Sequence, residues 1–283
     1  MNVIPFYHSP SGSFSYIVTN RHSHRCLVID PVLDFEAQPA RTSTESADQI
    51  ISYITRNGLE LEWILETHAH ADHLSAAQHL KQQCGGKVAI GRQITQVQRV
   101  FGSLFNEGTA LTADGSQFDL LLDNDDRLQC GDLEIRVLHT PGHTPACISY
   151  QIGEALFVGD TLFMPDLGTA RADFPGGDAG ILFQSIQKLL NFPDHYRIYV
   201  CHDYPPEGRE ATCSATVAEQ RSANIHLNGD CDSYIALRQQ RDATLAIPAL
   251  LFPAIQVNIR AGKLPEAESN GIKYLKIPLN QEL

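Results

Sequence analysis

The sequence is poor in basic residues and lacks a long apolar run. Its 283 residues include 21 Lys and Arg against 33 Asp and Glu, which gives a formal net charge of −12 at pH 7. Proteins bind phosphate backbones and anionic lipids largely through cations, so this charge disfavours nucleic acids and membrane surfaces as partners. The longest uncharged apolar run near the C-terminal end, Ile247 to Ile255, has nine residues and two prolines, too few to cross a bilayer.

The sequence also lacks the features of an exported protein. No basic segment followed by an apolar stretch opens the chain, so we do not expect a secretory signal. The seven cysteines are odd in number and widely spaced, and they form no C-x-x-C pair. Such cysteines are typical of reduced thiols rather than of a disulfide framework or a zinc knot. We therefore predict a cytoplasmic protein.

Motifs for nucleophilic or nucleotide chemistry are absent as well. The chain has no G-x-S-x-G elbow, no G-x-x-x-x-G-K-[ST] phosphate loop, and no G-x-G-x-x-G after a strand-like segment. These absences leave metal chemistry as the main option.

What the sequence does contain is an alternation of strand-like and helix-like segments. With 43% hydrophobic and 19% charged residues, the chain can form a large core. The predicted strands are Phe14–Thr19, Cys26–Asp30, Trp63–Thr67, Lys87–Ile90, Leu133–Thr140, Cys147–Ile152, Ala155–Val158 and Arg197–Cys201. The predicted helices are Glu45–Asn57, His73–Cys84, Gln93–Phe105 and Gly180–Asn191. This alternation indicates an α/β fold of helix layers packed on sheets, and the lack of a linker indicates one domain over residues 1–283.

Two segments depart from the alternation. The stretch at about residues 91–127 contains one predicted helix and a polar, Asp-rich part, so we predict a surface insertion there. We interpret residues from about 222 to 283 as a C-terminal extension of the domain.

Histidine is abundant, with twelve in the chain, and three of them stand in one short run. Residues 67–73 read THAHADH, at the end of the third predicted strand. Three imidazoles and one carboxylate so close together are costly unless a cation satisfies them. In a tight strand-to-helix turn, the alternate residues His68 and His70 point the same way, while Asp72 and His73 swing to the other side. The run could therefore serve two adjacent divalent metal positions.

Three more candidate ligands follow predicted strands at equivalent places. His143 in TPGHT, Asp160 in GDT and His202 in HDY each come just past the end of a strand. Open α/β sheets place their sites beyond the carboxyl ends of strands, so we expect these side chains to meet the histidine run. His139 lies inside a strand and is interpreted as structural, and the other histidines, including His226, as surface residues.

These motifs resemble those of the metallo-β-lactamase superfamily. THAHADH, TPGHT, GD and the histidine of HDY occur in the order of that family's metal ligands. The resemblance implies a metallo-β-lactamase αβ/βα four-layer sandwich with two facing mixed sheets, and a metal site at the edge of the sheets. It covers at least residues 2–221.

A narrower resemblance is to the persulfide dioxygenases, also called sulfur dioxygenases, in the bacterial branch of β-lactamase-like hydrolases. The phrases IDPVLD (29–34), TPGHTPAC (140–147), GDTLFMPDLGTARADFPGG (159–177) and CHDY (201–204) carry it. Members of that family oxidise glutathione persulfide with O₂ to sulfite, a step of sulfide detoxification. The resemblance therefore implies an oxidoreductase that takes glutathione persulfide and O₂ as substrates.

The resemblance also implies which residues bind the metal. A single Fe(II) per chain would be held by His68, His143 and Asp160. The other candidates would surround the iron without binding it: His70, Asp72, His73 and His202. Two histidines and one carboxylate leave iron positions open for persulfide sulfur and O₂.

Substrate-side residues follow from the same resemblance. Arg171 matches the family's substrate-side arginine, and Tyr204 matches a tyrosine close to the iron. Glutathione carries two carboxylates, so we add Arg260 and Lys263 as candidate cations for binding it. A homodimer and a rhodanese-type sulfur-transfer partner are further hypotheses.

The main alternative is a glyoxalase II-like thioester hydrolase, that is, a hydroxyacylglutathione hydrolase. All seven ligand candidates would then bind two metals, two Zn or mixed Zn and Fe, with Asp160 as the bridge, and turn water into a nucleophile. The ligand inventory does not separate the two functions, whereas the phrases GTARADFPGG and CHDY favour the dioxygenase. The missing export signal disfavours a zinc β-lactamase. The net charge disfavours a nuclease, which needs a basic surface for its substrate. The complete ligand set disfavours a non-enzymatic sensor.

Overall fold

The structure is a computed structural model that describes residues 1–280. Fifteen strands occur in this part of the chain. In chain order they are β1 (Asn2–His8), β2 (Ser13–Thr19), β3 (Arg25–Ile29), β4 (Val32–Glu36), β5 (Arg41–Ser43), β6 (Glu60–Leu65), β7 (Leu74–Ser75), β8 (Lys87–Gly91), β9 (Leu120–Leu122), β10 (Arg127–Cys130), β11 (Leu133–His139), β12 (Ile148–Ile152), β13 (Ala155–Phe157), β14 (Arg197–Tyr199) and β15 (Ser214–Thr216).

Seven α-helices accompany the strands in residues 1–280. They are α1 (Glu45–Arg56), α2 (Ala77–Cys84), α3 (Ile94–Leu104), α4 (Ala179–Leu190), α5 (Val217–Ala223), α6 (Cys231–Asp242) and α7 (Leu251–Asn258). Short 3₁₀ turns lie at Gly108–Ala110 and Gly159–Thr161. No helix in the described chain combines the length and the apolar character needed to cross a membrane.

The strands form two large mixed sheets and one small sheet. The first large sheet has the order β1-β2-β3-β6-β8-β9, and the second has the order β10-β11-β12-β13-β14-β15. Parallel pairs are β3 with β6, β6 with β8 and β8 with β9 in the first sheet, and β13 with β14 in the second. The small sheet has the order β5-β4-β7 and lies beside the loop that precedes β7.

The core explains why these elements form four layers. Tyr16 and Leu27 of the first sheet pack with Val137 and Tyr150 of the second, so the two sheets face each other across one buried cluster. Neighbouring residues such as Ile17 point to the opposite face, where α1, α2, α3 and α7 cover the first sheet. The second sheet is covered in the same way by α4, α5 and α6. This αβ/βα arrangement confirms the predicted fold class.

The predicted strands all exist, with ends that differ by a few residues at most. The helix predicted from His73 begins instead at Ala77, because residues 74–75 pair with β4 as the short strand β7. The ligand run is therefore a loop between two strands and not the start of a helix.

The segment at about 91–127 is not the surface insertion that we expected. Its helix α3 buries Ile94 and Phe101 in the core of the first sheet, and the following loop adds Phe118. Its strand β9 extends that sheet at one edge. Polar composition was misleading because apolar residues such as Ile94, Phe101 and Phe118 are buried, although Val100 on the same helix is exposed.

The C-terminal segment that begins near residue 222 contains α6 and α7. α6 packs on α4, and α7 packs beside β7, so each helix covers a different sheet. The predicted extension ends at residue 283, and residues 281–283 lie outside the described residues.

Candidate metal centre

The histidine run lies in a buried loop between β6 and β7. β6 ends at Leu65, and β7 begins at Leu74. The residues His68, His70 and His73 are 1%, 0% and 2% exposed. Buried imidazoles require partners for their nitrogen atoms, so this loop is costly unless those nitrogens bind something.

His68, His143 and Asp160 come together beyond the ends of the strands. His143 lies in the loop after β11, and Asp160 in the 3₁₀ turn after β13. Asp160 Oδ2 is 3.8 Å from His68 Nε2 and 3.7 Å from His143 Nε2. These separations are too long for hydrogen bonds, while one ligand atom of each residue lies within 4.8 Å of the others. The three side chains can therefore share one ion between them.

The outer nitrogens of the two histidines are held by hydrogen bonds. His143 Nδ1 is 2.8 Å from Arg171 O, and since a carbonyl only accepts, Nδ1 carries the proton. His68 Nδ1 is 3.0 Å from Thr67 Oγ1, whose own proton goes to Asp30 Oδ2 at 2.8 Å. His68 Nδ1 is then the donor as well. Both Nε2 atoms keep a free lone pair directed at Asp160, as metal-ligating histidines require.

A second group of candidate ligands lies next to the first. One ligand atom each of His70, Asp72, His73 and His202 lies within 4.8 Å of the others. His202 Nε2 is 3.5 Å from Asp72 Oδ2 and 3.4 Å from Asp160 Oδ1. Within residues 1–280, Nε2 of His73 and of His202 has no hydrogen-bond partner. Asp160 therefore faces both groups: its Oδ2 lies near the first group and its Oδ1 lies near His202 of the second.

Ser13, the first residue of β2, connects the members of this second group. Its hydroxyl lies 3.2 Å from His73 Nδ1 and 3.4 Å from His202 Nδ1, and it donates to Asp72 Oδ2 at 3.3 Å. Ser13 is fully buried. Sequence reasoning missed it because a serine at the start of a strand belongs to no ligand motif.

The protonation of these groups suits a divalent metal. Burial lowers the pKa of His68 and of His70 well below the usual range, so both rings are neutral at pH 7. Burial raises the pKa of Asp160, but His202, His68 and His143 outweigh it and lower that pKa. Burial lowers the pKa of His202, but the two neighbouring carboxylates outweigh it and raise that pKa. The neutral rings of His68 and His70, the ionised carboxylate of Asp160 and the unpartnered ring nitrogens together fit a bound Zn²⁺ or Fe²⁺.

His70 has a second set of neighbours on its other side. Its Nε2 is 3.1 Å from Asp30 Oδ1 and 3.7 Å from Glu66 Oε2. Burial raises the pKa of Asp30 and raises that of Glu66 well above the ordinary value. His70 thus contributes a ligand atom to the second group and also faces a buried carboxyl pair, while its ring packs 4.1 Å from that of His68.

A cavity of about 490 Å³ opens beside the two ligand groups. His143, Asp160 and His202 line one part of it. Apolar side chains line much of the rest: Phe163, Leu167, Phe174, Leu245 and Leu250. A volume of this size, with a few polar groups at one end, is typical of a small-molecule site.

The two substrate-side residues named by the resemblance both line this cavity. Arg171 donates through Nε and Nη2 to Asp173, at 2.6 and 2.7 Å, and through Nη1 to Ala246 O at 2.7 Å. Tyr204 stacks on His202, and its hydroxyl is 3.1 Å from His202 Nδ1. Arg171 therefore has most of its donors engaged within the protein, while Tyr204 contacts a candidate ligand directly.

Arg260 and Lys263 are placed elsewhere, which corrects our expectation for them. Arg260 is buried and pairs with Glu107, and it also donates to Gln256 O at 2.6 Å. With Lys263 it lines a separate cavity near the C-terminal segment. Their position after α7 follows from packing against α3, which no local motif reveals.

Two residues near the cavity were not identified from the sequence. Arg241, at the end of α6, lines the cavity with an exposed side chain. His226 was predicted on the surface but is buried, and its Nδ1 accepts the Thr169 N–H at 2.9 Å. Neither residue belongs to a motif, and only the tertiary fold brings them near the site.

Comparisons with known proteins agree with this architecture. The metallo-beta-lactamase superfamily pattern matches residues 8–202. The chain is 51% identical to a probable metallo-hydrolase of Burkholderia pseudomallei, over 99% of each chain. It is 50% identical to glyoxylase B2 of Dictyostelium discoideum, over 99% of this chain and 97% of that one. It is 49% identical to a beta-lactamase hydrolase-like protein of Xylella fastidiosa, over 97% of this chain and 64% of that protein.

A more distant similarity links the chain to persulfide dioxygenases. It is 28% identical to the human mitochondrial persulfide dioxygenase ETHE1, over 89% of this chain and 85% of that protein. The crystal structure of ETHE1 from Myxococcus xanthus superposes with a TM-score of 0.75 at 26% identity, and covers 93% of this chain and all of that one. These findings confirm the resemblance that the motifs predicted.

Proposed function

The chain belongs to the metallo-beta-lactamase superfamily, and from that premise we propose that it is a glutathione persulfide dioxygenase with a single Fe(II). The coarser statement, a metal-dependent enzyme of this superfamily, rests on the family match and on the clustered histidines and aspartates. The finer statement rests on the arrangement of three side chains and on the similarity to persulfide dioxygenases.

The observation that carries the proposal is the grouping of His68, His143 and Asp160. Two histidines and one carboxylate with free lone pairs are the ligand set of non-haem Fe(II) oxygenases, which keep positions open for substrate and O₂. The His70 ring lies 4.1 Å from the His68 ring, but its ligand atoms group with Asp72, His73 and His202 rather than with this group, and its Nε2 faces Asp30 and Glu66. An iron held there would supply the redox chemistry that lets O₂ react with a sulfur substrate.

The overall reaction balances without a further reductant. Glutathione persulfide, O₂ and one water give glutathione, sulfite and two protons. The sulfane sulfur loses four electrons to O₂, the S–S bond breaks, and the two protons released go to solvent. O₂ and the persulfide are thus the only redox partners that the site has to accommodate.

The chain's own residues have distinct tasks in this scheme. Arg171 O and Thr67 Oγ1 hold the protons on the outer nitrogens of His143 and His68, which fixes both rings. Phe163 and Phe174 help to keep water away from the reacting sulfur. Tyr204 lies within hydrogen-bond distance of His202 and can orient that ring.

Arg241 is the cation that we assign to the glutathione carboxylates. Of the arginines that line the cavity, Arg171 pairs with Asp173, and buried Arg238 pairs with Asp242. The Arg241 side chain makes no hydrogen bond or ion pair with any residue of the described chain. The Arg241 guanidinium is therefore available to bind an anionic substrate, whereas the candidate ligands at this site include carboxylates that would repel one.

A binuclear thioester hydrolase is the second candidate. The second ligand group is complete, and Asp160 faces both groups, which is the arrangement that a bridging carboxylate needs. One relative is named glyoxylase B2, although that name describes the relative. The homodimer, the rhodanese-type partner and the cytoplasmic location stay predictions.

Parallel assays on one preparation separate the two candidates. The apo-protein is loaded with Fe(II) or with Zn(II) and then assayed for glutathione persulfide oxidation and for S-lactoylglutathione hydrolysis. The proposal expects persulfide oxidation by the iron form and no more than a trace of thioester hydrolysis by either form. Efficient thioester hydrolysis by the two-zinc form, without persulfide oxidation by the iron form, would favour the hydrolase.

A further inference from the structure

The loop that carries three of the histidines has buried main-chain groups that no strand or helix satisfies. It runs from the end of β6 to β7 and contains His70, Asp72 and His73. Buried carbonyl groups require a hydrogen-bond partner, and an irregular loop lacks the regular main-chain hydrogen bonds of a strand or helix. The group that donates to these carbonyls therefore helps to fix the position of the loop.

Asn258, the last residue of α7, provides that partner. Its Nδ2 donates to His70 O and to His73 O, both at 2.8 Å. Its Oδ1 accepts the Ser75 N–H, also at 2.8 Å. Asn258 is 4% exposed, and both of its amide protons are used. One side chain thus fixes the loop before and after Asp72.

The residues that follow Asn258 in the chain are themselves held by hydrogen bonds. Gln98 of α3 donates to Ile259 O at 2.9 Å, and Gln78 of α2 donates to Ala261 O at 2.9 Å. Gly262, with φ at +81°, lies so close to the loop that an added Cβ would be 2.9 Å from Ser75 O. The end of α7 and the ligand loop are therefore packed at a fixed distance.

We propose that Asn258 is a positioning residue of the metal centre, acting through the main chain of His70 and His73. The two histidines of the first ligand group are held independently, His68 by Thr67 and His143 by Arg171 O. The effect of Asn258 therefore falls mainly on the second group. The inference does not depend on which reaction the centre catalyses, because both candidate functions use that group around or at the metal.

Two variants and Co²⁺ as a probe test this proposal. Asn258→Ala removes all three hydrogen bonds to the loop, whereas Gln78→Ala removes one bond from the same interface and none to the ligand loop. Each full-length apo-protein is first compared with the parent by circular dichroism and thermal unfolding. Co²⁺ affinity is then measured by competition with a chelator, and the absorption spectrum of bound Co²⁺ is recorded.

The proposal expects Asn258→Ala to weaken Co²⁺ binding by about tenfold or more and to alter the Co²⁺ spectrum, since partners that orient ligands typically matter to this extent. Gln78→Ala should stay within about twofold of the parent, with an unchanged spectrum. If the parent binds two Co²⁺ ions, Asn258→Ala should lose the ion at the second ligand group before the ion at the first ligand group.

Equal losses of Co²⁺ affinity in both variants would indicate general loosening of the interface and would overturn the proposal. An unchanged Co²⁺ affinity and spectrum in Asn258→Ala would overturn it as well. If the alanine variant does not fold, Asn258→Asp replaces it. That change keeps the shape and the acceptor for Ser75 N–H but removes the two donors. The same two outcomes decide the matter.

Discussion

At the scale of single residues, the direction of each ring nitrogen matters more than the presence of a histidine. His139 lies close to the ligand loops in sequence, yet its Nε2 is 3.2 Å from Pro145 O and away from the candidate metal. His143, four residues later, has its Nδ1 held by Arg171 O and its Nε2 free. Only the second arrangement can serve a metal.

Asp160→Ala tests the ligand assignment. Because this carboxylate faces both ligand groups, its loss should lower Fe²⁺ affinity by more than about 100-fold, beyond the effect of residues that merely orient ligands. Elemental analysis of the reconstituted protein gives the metal content. His139→Gln serves as the control and should keep full iron, and retention of full iron by Asp160→Ala would contradict the assignment.

Arg241→Gln tests the proposed substrate cation. Loss of one charge-assisted contact to a carboxylate should raise KM for glutathione persulfide by about tenfold and leave kcat nearly unchanged. Arg99→Gln is the matched control, because Arg99 is exposed on α3 and does not line the cavity. Steady-state O₂ uptake gives both constants, and similar KM values for the two variants would exclude Arg241 from substrate binding.

The candidate ligands could be predicted from the sequence because each follows a strand end. Arg260 could not be placed in this way, since its partner Glu107 lies more than 150 residues away in the chain. Arg241 and Asn258 were missed for the same reason. Pairing between distant elements leaves no local pattern, whereas a strand followed by a ligand does.

At the scale of elements, the loops between strands and helices place the ligands. Gly142 precedes His143 and has φ at +132°, and an added Cβ would be 2.3 Å from Leu182 N in α4. The TPGHT loop therefore approaches the helix as closely as only glycine allows. This close approach holds the loop that carries His143 against α4.

Gly142→Ala should therefore destabilise the protein by about 3 kcal/mol or more and reduce its iron content, because either α4 or the His143 loop has to move. Gly153→Ala is the control, since Gly153 has φ at +57° but an added Cβ would meet nothing within 4 Å. It should cost about 1–2 kcal/mol and keep its iron. Urea unfolding of the apo-proteins gives the free energy of unfolding of both variants. Equal losses of this free energy in Gly142→Ala and Gly153→Ala would contradict the steric explanation.

Sequence patterns were more reliable for strands than for the segments between them. Nearly continuous apolar runs predicted β2, β3 and β8 because both faces of those strands are buried. The same patterns could not show that α3 covers the first sheet or that β9 extends it, since both facts depend on tertiary contacts between elements. They also could not show that β7 interrupts the expected helix after His73.

At the scale of the whole molecule, the two sheets and both C-terminal helices enclose one site. α6 contributes Arg241 to the cavity, while α7 supports the ligand loop through Asn258. The fold class was predictable because the ligand motifs are specific to one superfamily. The part played by the C-terminal segment was not, because it depends on contacts with elements far away in the chain.

The stability of the whole molecule should depend on pH through His226. Burial, followed by Arg238 and Arg241, lowers the pKa of His226 to about 4 in the folded protein. The unfolded chain has the ordinary value of about 6.5 and so binds a proton that the folded protein does not. The free energy of unfolding therefore falls as pH decreases from about 6.5 to 4.

His226→Asn should lose less stability than the parent between pH 7 and pH 4.5, because it lacks this titrating group. Urea unfolding of the apo-proteins across this range measures the slopes, and other buried histidines affect both proteins equally. His22→Asn, at an exposed position, should behave like the parent. A parent and a His226→Asn variant with equal slopes would show that His226 is not the group involved.

The most direct test of the central claim is the amount of sulfite formed per O₂ consumed when glutathione persulfide is added to the iron-loaded protein. The proposed reaction predicts one sulfite for each O₂, with activity that rises with iron content up to one iron per chain. An iron-loaded, folded protein that consumes no O₂ with this substrate, or forms no sulfite, would contradict the proposed function.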